Sequence, residues 1–181
     1  MAFLSIGFFP IPIQTPRLLL LPVRDRDQTA EACRVARIPD IRAALDLPAE
    51  IGPAELRGRL HAPPLRHLYL LQQARRGLGA GLLALRRDPD GSGWWQVGCG
   101  VLPPFRGRGY AQEAATEVLR RLFREPTVAG VQARVQAGHP AALALAVRMV
   151  PIRSGPGYLE FRLSREAWLE TRPEERQSLA W

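Results

Sequence analysis

Apolar and polar positions along this chain repeat with the periods of both helices and strands. Between positions 109 and 124, Ala111, Ala115, Val118 and Leu122 fall on one stripe, which is the spacing of an amphipathic helix. Acidic side chains lie early in this segment and arginines lie late, an order that suits the helix dipole. The pattern therefore predicts a helix over Gly109–Arg124.

The remaining segments are interpreted in the same way, with proline, glycine and aspartate clusters marking the breaks. Further helices are predicted over Asp27–Arg37, Asp40–Leu47, Pro53–His61, Pro140–Val150 and Glu166–Thr171. Strands are predicted over Thr15–Val23, Leu65–Ala74, Ala80–Arg86, Trp94–Leu102, Val128–Gln136 and Tyr158–Leu163. Neither an internal repeat nor a long linker divides the 181 residues, so the sequence predicts one domain.

The strand Trp94–Leu102 has two unlike faces. Side chains alternate along a strand, so Gly98 and Gly100 fall on one face, while bulkier residues such as Trp95 and Val97 fall on the other. Two glycines on one face leave space in which a ligand can approach the backbone. We therefore expect an open floor on the glycine side of this strand.

A short turn with two glycines and two arginines joins this strand to the helix that follows. Gly107 and Gly109 allow the backbone to bend and an anion to approach it. The first turn of the helix offers unpaired N–H groups and the positive end of its dipole. Arg106 and Arg108 can add charge-assisted hydrogen bonds. These residue types in this order predict a site for a diphosphate.

The spacing excludes two other kinds of phosphate site. A dinucleotide fingerprint would need a small residue in place of Gln112 and a βαβ unit at the start of the domain. A P-loop needs a lysine, and the chain contains none. The spacing that remains, Arg106-x-x-Gly109-x-Ala111, fits R/Q-x-x-G-x-G/A.

That spacing resembles the coenzyme A pyrophosphate loop of the GNAT superfamily of N-acetyltransferases. The segment 15–23 resembles the T-x-R-L-x-L-R-P opening strand of the RimJ/RimL-like branch, and 106–114 is similar to its RGKGYATEA motif. Segments 79–91 and 137–142 resemble the branch's central hairpin and its x-G-N-x-A-S motif. In order and spacing the resemblance spans roughly residues 15–165.

The resemblance implies an α/β (α+β) fold with a GNAT-type mixed, mostly antiparallel central sheet flanked by helices. The acetyltransferase domain would occupy 15–170, after an apolar extension (1–14) and before a C-terminal tail (171–181). The implied co-substrate is acetyl-CoA, and the acetyl group would pass directly to an amine acceptor, either a protein N-terminus or a small molecule. The cofactor-binding residues implied are Val101, Leu102, Arg106, Gly107, Arg108, Gly109, Tyr110 and Ala111.

The catalytic positions depart from the family pattern. Many relatives carry a glutamate as general base on the strand before the loop, and here the matching position is Gln96, which cannot accept a proton. The family's asparagine and serine are replaced by His139 and Ala142. His139 and Gln96 are therefore the catalytic candidates, although His139 fits a helix-capping or packing role equally well. Cys99 is expected to pack, because no histidine is in position to activate it.

Two alternatives remain open at this point. The altered catalytic positions also fit a non-catalytic acyl-CoA-binding regulatory module on the same fold. The net charge of +8 would suit a nucleic-acid-associated protein. However, all 25 basic residues are arginine and the chain lacks asparagine, which favours codon usage in a GC-rich genome as the cause. The arginines are scattered and no nucleic-acid-binding motif is present, so we do not expect a nucleic-acid partner.

Cysteine usage and the apolar N-terminus set the remaining expectations. Cys33 and Cys99 are far apart, so neither a metal site nor a disulfide is predicted, and a cytoplasmic location is expected. The apolar start is interrupted by Pro10 and Pro12, so it fits neither a signal peptide nor a membrane span. The resemblance also makes a homodimer one expected assembly.

Overall fold

The chain forms one eight-stranded sheet with helices on both faces, in a computed structural model that describes residues 11–61, 66–138, 142–143, 146 and 150–172. The strands are β1 (Ile13–Gln14), β2 (Leu18–Pro22), β3 (Arg66–Gln73), β4 (Gly79–Arg87), β5 (Trp94–Val101), β6 (Gly130–Gln136), β7 (Val150–Gly155) and β8 (Tyr158–Ser164). The helices are α1 (Arg26–Ala36), α2 (Pro39–Ala44), α3 (Pro53–His61), α4 (Tyr110–Leu122) and α5 (Arg165–Glu170), with a 3-10 turn at Pro103–Phe105.

The strand order is β1-β2-β3-β4-β5-β6-β8-β7, and every neighbouring pair is antiparallel except β5 and β6. The parallel pairing of β5 with β6 covers only Trp94 to Gln96 against Gly130 to Gln132. Beyond it, β5 continues beside β4 and β6 continues beside β8. The two strands therefore separate and leave a gap between 97–101 and 133–136, which we call the fork.

Side-chain alternation places a core on each face of the sheet. On β3, Tyr69 and Leu71 pack with helices α4 and α5, while Leu68 and Leu70 pack with α1, α2 and α3. On α4 the buried positions are Tyr110, Ala114, Val118, Leu119 and Leu122. This stripe is rotated from the predicted one, since Ala111 and Ala115 are only partly buried.

The mixed, mostly antiparallel fold is confirmed, and the predicted elements differ from the observed ones mainly at their ends. Helix α2 stops at Ala44 rather than Leu47, and Asp46 follows with a φ of 51°. Two edge strands, β1 and β7, were not predicted. Strand β7 contains Pro151 and a register shift, and both are tolerated because an edge strand leaves one side unpaired.

Parts of three predictions lie outside the described residues. The predicted extension 1–14 is described only from residue 11, where it contributes β1. The predicted tail 171–181 is described only to residue 172. Of the predicted helix Pro140–Val150, only Ala142, Leu143 and Ala146 are described as helical, and Val150 already belongs to β7.

Helix α2 packs on the glycine face of β5 and closes the expected open floor at Gly98, whereas Gly100 borders open space. A side chain at Gly98 would overlap the carbonyl oxygen of Ala44, and one at Gly100 would meet Ile41 at 2.8 Å. Both neighbours belong to the α2 region. The glycines thus allow the close approach of a backbone, and that backbone belongs to the protein itself.

Candidate active site

The fork opens into a cleft of about 590 Å³. Its walls are the separated ends of β5 and β6, one side of α2, the turn before α4, and the loop that leads into β8. The volume is within the range of small-molecule sites, about 300–1,000 Å³. The cleft is thus the main candidate site within the described part of the chain.

The turn before α4 has the geometry that an anion site requires. Gly107 and Gly109 have φ values of 72° and 77°, in the left-handed region that glycine adopts without a steric penalty. Gly109 is the N-cap of α4 and has no side chain with which to cap the helix. The N–H groups of the first turn are therefore available to a ligand.

Six of the eight predicted cofactor-binding residues line the cleft, namely Val101, Arg106, Gly107, Gly109, Tyr110 and Ala111. The other two do not line it. Leu102 donates its N–H to the carbonyl of Ala80 at 2.8 Å and packs against the core on the α1 side. The guanidinium carbon of Arg108 lies 5.9 Å from the centre of the Phe105 ring.

Arg106 links the turn to the two walls of the cleft. Its Nε donates to the carbonyl oxygen of Val101 at 3.0 Å, and its Nη2 lies 3.3 Å from Oδ2 of Asp40. Asp40 belongs to the first turn of α2 and was not among the predicted site residues. Its role depends on how α2 packs on β5, and no local pattern in the sequence encodes that packing.

A second network, also absent from the predicted site, fixes the turn to the opening strands. Glu113 accepts hydrogen bonds from the hydroxyl of Thr15 at 2.5 Å, from the backbone N–H of Arg17 at 2.9 Å and from Nε of Arg17 at 2.6 Å. Burial alone would raise the pKa of Glu113, but these donors together hold it below the ordinary value. The Thr15-x-Arg17 pattern was the signal in the sequence that could have indicated this network. Its two polar residues are the ones that donate to Glu113.

Comparison with known families decides the identity of the fold. The family model described as the acetyltransferase (GNAT) domain matches residues 17–149. This protein belongs to the GNAT acetyltransferases. It is accordingly an N-acetyltransferase that uses acetyl-CoA as co-substrate to acetylate an amine. A search of curated protein sequences gives no match to this chain.

Solved structures show the same fold at low sequence identity. A spermidine N-acetyltransferase from Vibrio cholerae, in complex with CoA and spermine, is 14% identical with a TM-score of 0.69, over 86% of this chain and 99% of that one. An acetyltransferase from Agrobacterium tumefaciens is 20% identical with a TM-score of 0.64, over 86% and 95%. A GNAT-family acetyltransferase from Bacillus anthracis is 14% identical with a TM-score of 0.67, over 86% and 99%.

Of the two catalytic candidates of this GNAT protein, only Gln96 belongs to the residues that the structure describes. Gln96 does not line the cleft, and its side-chain oxygen accepts a hydrogen bond from the guanidinium of Arg86. Arg86 in turn lies 3.3 Å from Asp46. His139 lies outside the described residues. Cys99 lines the cleft, but desolvation raises the pKa of its thiol to about 12, so it is a poor nucleophile.

Two further side chains contribute to the β6 side of the GNAT cleft. The guanidinium carbon of Arg134 lies 4.6 Å from the centre of the Tyr158 ring, and its Nη2 lies 2.8 Å from Glu160. Arg134 and Tyr158 both line the cleft. Tyr158 begins β8 opposite Gln136 and is only partly buried.

Neither a metal centre nor a membrane span is found in the part of the chain that the structure describes. No group of three or more histidine, cysteine, aspartate or glutamate side chains could hold a metal ion there. None of the described helices is both long and apolar enough to cross a membrane.

Proposed function

We propose that this enzyme, as a member of the RimJ/RimL-like branch, acetylates amines of low pKa, such as a peptide N-terminus or a small amine, and that its turn 106–111 binds the diphosphate of acetyl-CoA. The observation that carries the proposal is the uncapped start of α4 at the mouth of the fork, preceded by two glycines in the left-handed region. Arg106 lies beside this start, where it adds a positive charge.

The fork fits the extended arm of the co-substrate. Within the fork, β5 and β6 do not pair with each other, so their facing N–H and C=O groups need other partners. An extended amide-bearing chain can supply these by lying between the two strands, as a peptide does when it adds to a sheet edge. When bound, acetyl-CoA supplies an activated thioester carbonyl. The backbone N–H groups of the fork are the chain's means of stabilising the oxyanion.

The acceptor preference follows from the titratable groups at the site. Asp40 is the only carboxylate among the described lining residues, and it is paired with Arg106. Gln96 occupies the position of the family glutamate and cannot take a proton. An α-amine has a pKa of about 7.7–8.0 and a lysine amine about 10.4. Deprotonating lysine therefore costs roughly 3.4 kcal/mol more, which this cleft has no described base to offset.

The first experiment is thermal unfolding with and without acetyl-CoA at moderate salt, with an unrelated polyanion as the charge control. Ligand at 100 times its Kd should stabilise the fold by about 2.7 kcal/mol, which is a shift of several degrees for a chain of this size. A shift specific to acetyl-CoA supports the site. No shift, or an equal shift with the polyanion, contradicts it.

Acceptor preference is tested with two matched peptides. One has a free α-amine and no lysine, and the other has a blocked N-terminus and a single lysine. Release of CoA thiol at pH 7 should be at least tenfold faster with the free α-amine, because about a tenth of it is already neutral there. Efficient transfer to the lysine peptide near neutral pH would refute the preference.

A further inference from the structure

We infer that Arg17 is a positioning residue that orients the peptide between Arg108 and Gly109 so that its N–H faces the diphosphate site. The inference rests on the proposed function of the turn 106–111. It adds that Arg17, which lies outside the turn, raises the affinity of the turn for the diphosphate. Arg17 stands just before β2, about 90 residues away in sequence, and its side chain is 50% exposed.

Arg17 contacts both sides of the turn. Its Nη1 donates to the carbonyl oxygen of Arg108 at 2.7 Å, ahead of the helix. Its Nε and its backbone N–H donate to Glu113, within the first turn of α4, at 2.6 and 2.9 Å. The guanidinium carbon also lies 5.1 Å from the centre of the Tyr110 ring. One planar group therefore fixes the residues before and after the helix start.

The bond to Arg108 determines where the next N–H points. The peptide unit is planar and trans, so the carbonyl of Arg108 and the N–H of Gly109 point in opposite directions. Arg17 holds the carbonyl on the β2 side, and Arg17 is not a lining residue of the cleft, whereas Gly109 is. Holding the oxygen therefore aims the N–H of Gly109 away from Arg17, towards the cleft.

The turn needs such an anchor because of its composition. Gly107 and Gly109 flank Arg108, and each glycine has wide backbone freedom. Ordering flexible backbone costs conformational entropy, and without an anchor that cost reduces the affinity for the ligand. Arg17 is itself held by Glu113, which the hydroxyl of Thr15 also contacts. The network thus orders the turn before the ligand arrives.

The experiment compares a ligand that carries the diphosphate with one that lacks it. CoA is titrated by calorimetry, and pantetheine, which has no phosphate, is titrated by thermal shift at millimolar concentration. The variants are Arg17→Met, which removes the side-chain donors and keeps the backbone N–H, and Arg17→Lys, whose single ammonium cannot bridge Glu113 and the Arg108 carbonyl together. The matched control is Arg59→Met, which breaks the exposed pair of Arg59 with Glu55 in α3.

Both Arg17 variants should bind CoA about 10- to 100-fold more weakly, the effect of losing one strong polar contact. Their affinity for pantetheine should stay within twofold of wild type, and Arg59→Met should change neither. If Arg17→Met fails to fold, the test uses Arg17→Lys alone. We expect this variant to fold because it keeps a positive charge beside Glu113.

The outcomes separate this inference from the proposed function. Unchanged CoA affinity in a folded Arg17 variant, or an equal loss for CoA and pantetheine, would overturn the positioning role. Failure of both variants to fold would also overturn it, because Arg17 would then be holding the fold together and not the turn. A wild-type protein that binds neither ligand would instead overturn the proposed function.

Discussion

Asp40 and Arg106 form an ion pair of 3.3 Å that joins helix α2 to the turn at the mouth of the cleft. Both side chains are partly exposed, at 50% and 38%. An exposed pair of this kind contributes little to stability, typically about 0–1 kcal/mol. Its position matters more, because in the proposed binding mode Asp40 would compete with the diphosphate for Arg106.

We predict that Asp40→Asn tightens CoA binding by about two- to fivefold. The substitution removes a carboxylate that both occupies Arg106 and repels the diphosphate, and an exposed charge interaction of this kind is worth up to about 1 kcal/mol. Calorimetry at constant ionic strength measures the change. Glu50→Gln, at an exposed position away from the cleft lining, alters net charge equally and should have no effect. Weaker binding by Asp40→Asn would show that the pair holds Arg106 in its binding position.

A second prediction concerns the contact between β5 and the end of α2. Gly98→Ala should destabilise the protein by about 1–3 kcal/mol, because the new methyl group overlaps the backbone carbonyl of Ala44 and overpacking of this kind costs that much. Urea unfolding measures the loss. The control is Gly58→Ala in α3, where no atom lies within 4 Å of the added carbon. That variant should gain about 0.5–1 kcal/mol, and a neutral Gly98→Ala would mean that α2 moves freely.

A third prediction concerns pH. His67 is 6% exposed and stacks on Trp95 at 5.7 Å, and burial, together with Arg24, lowers its pKa to about 4. The unfolded chain has a histidine pKa of about 6.5, so between these values it binds a proton that the folded chain does not. The free energy of unfolding therefore decreases as the pH is lowered, by about 2 kcal/mol from pH 7 to pH 5.

His67→Phe keeps an aromatic ring beside Trp95 and removes the titration. The difference in unfolding free energy between pH 7 and pH 5, measured by urea titration of both proteins, should shrink by about that amount in the variant. If the unfolding free energy of the two proteins depends equally on pH, titratable groups other than His67 cause that dependence.

Local patterns in the sequence were sufficient for the turn and for most of the described elements, but not for β1 and β7. The glycines and arginines of 106–111 are contiguous, so the geometry they favour could be inferred without the fold. The partners of the turn could not. Arg17 and Glu113 are separated by 96 residues, and Asp40 reaches Arg106 only because α2 packs on the glycine face of β5.

The catalytic positions show the same limit. The sequence placed Gln96 at the position of the family glutamate by its place along the strand. It could not predict that Arg86 donates a hydrogen bond to the Gln96 side chain. Likewise, β7 was missed because Pro151 and the irregular pairing around it remove the alternation that marks a strand.

From the short parallel pairing of β5 with β6 we expect the strands on its two sides to behave as two units of cooperative opening. Only three residue pairs cross that boundary, whereas β3 with β4 and β6 with β8 are paired along most of their lengths. Amide hydrogens in the fork should thus exchange with solvent much sooner than those of the flanking ladders. Because a bound acyl donor would bridge both units, occupancy of the cleft should slow exchange throughout the sheet and not only at the groups it touches.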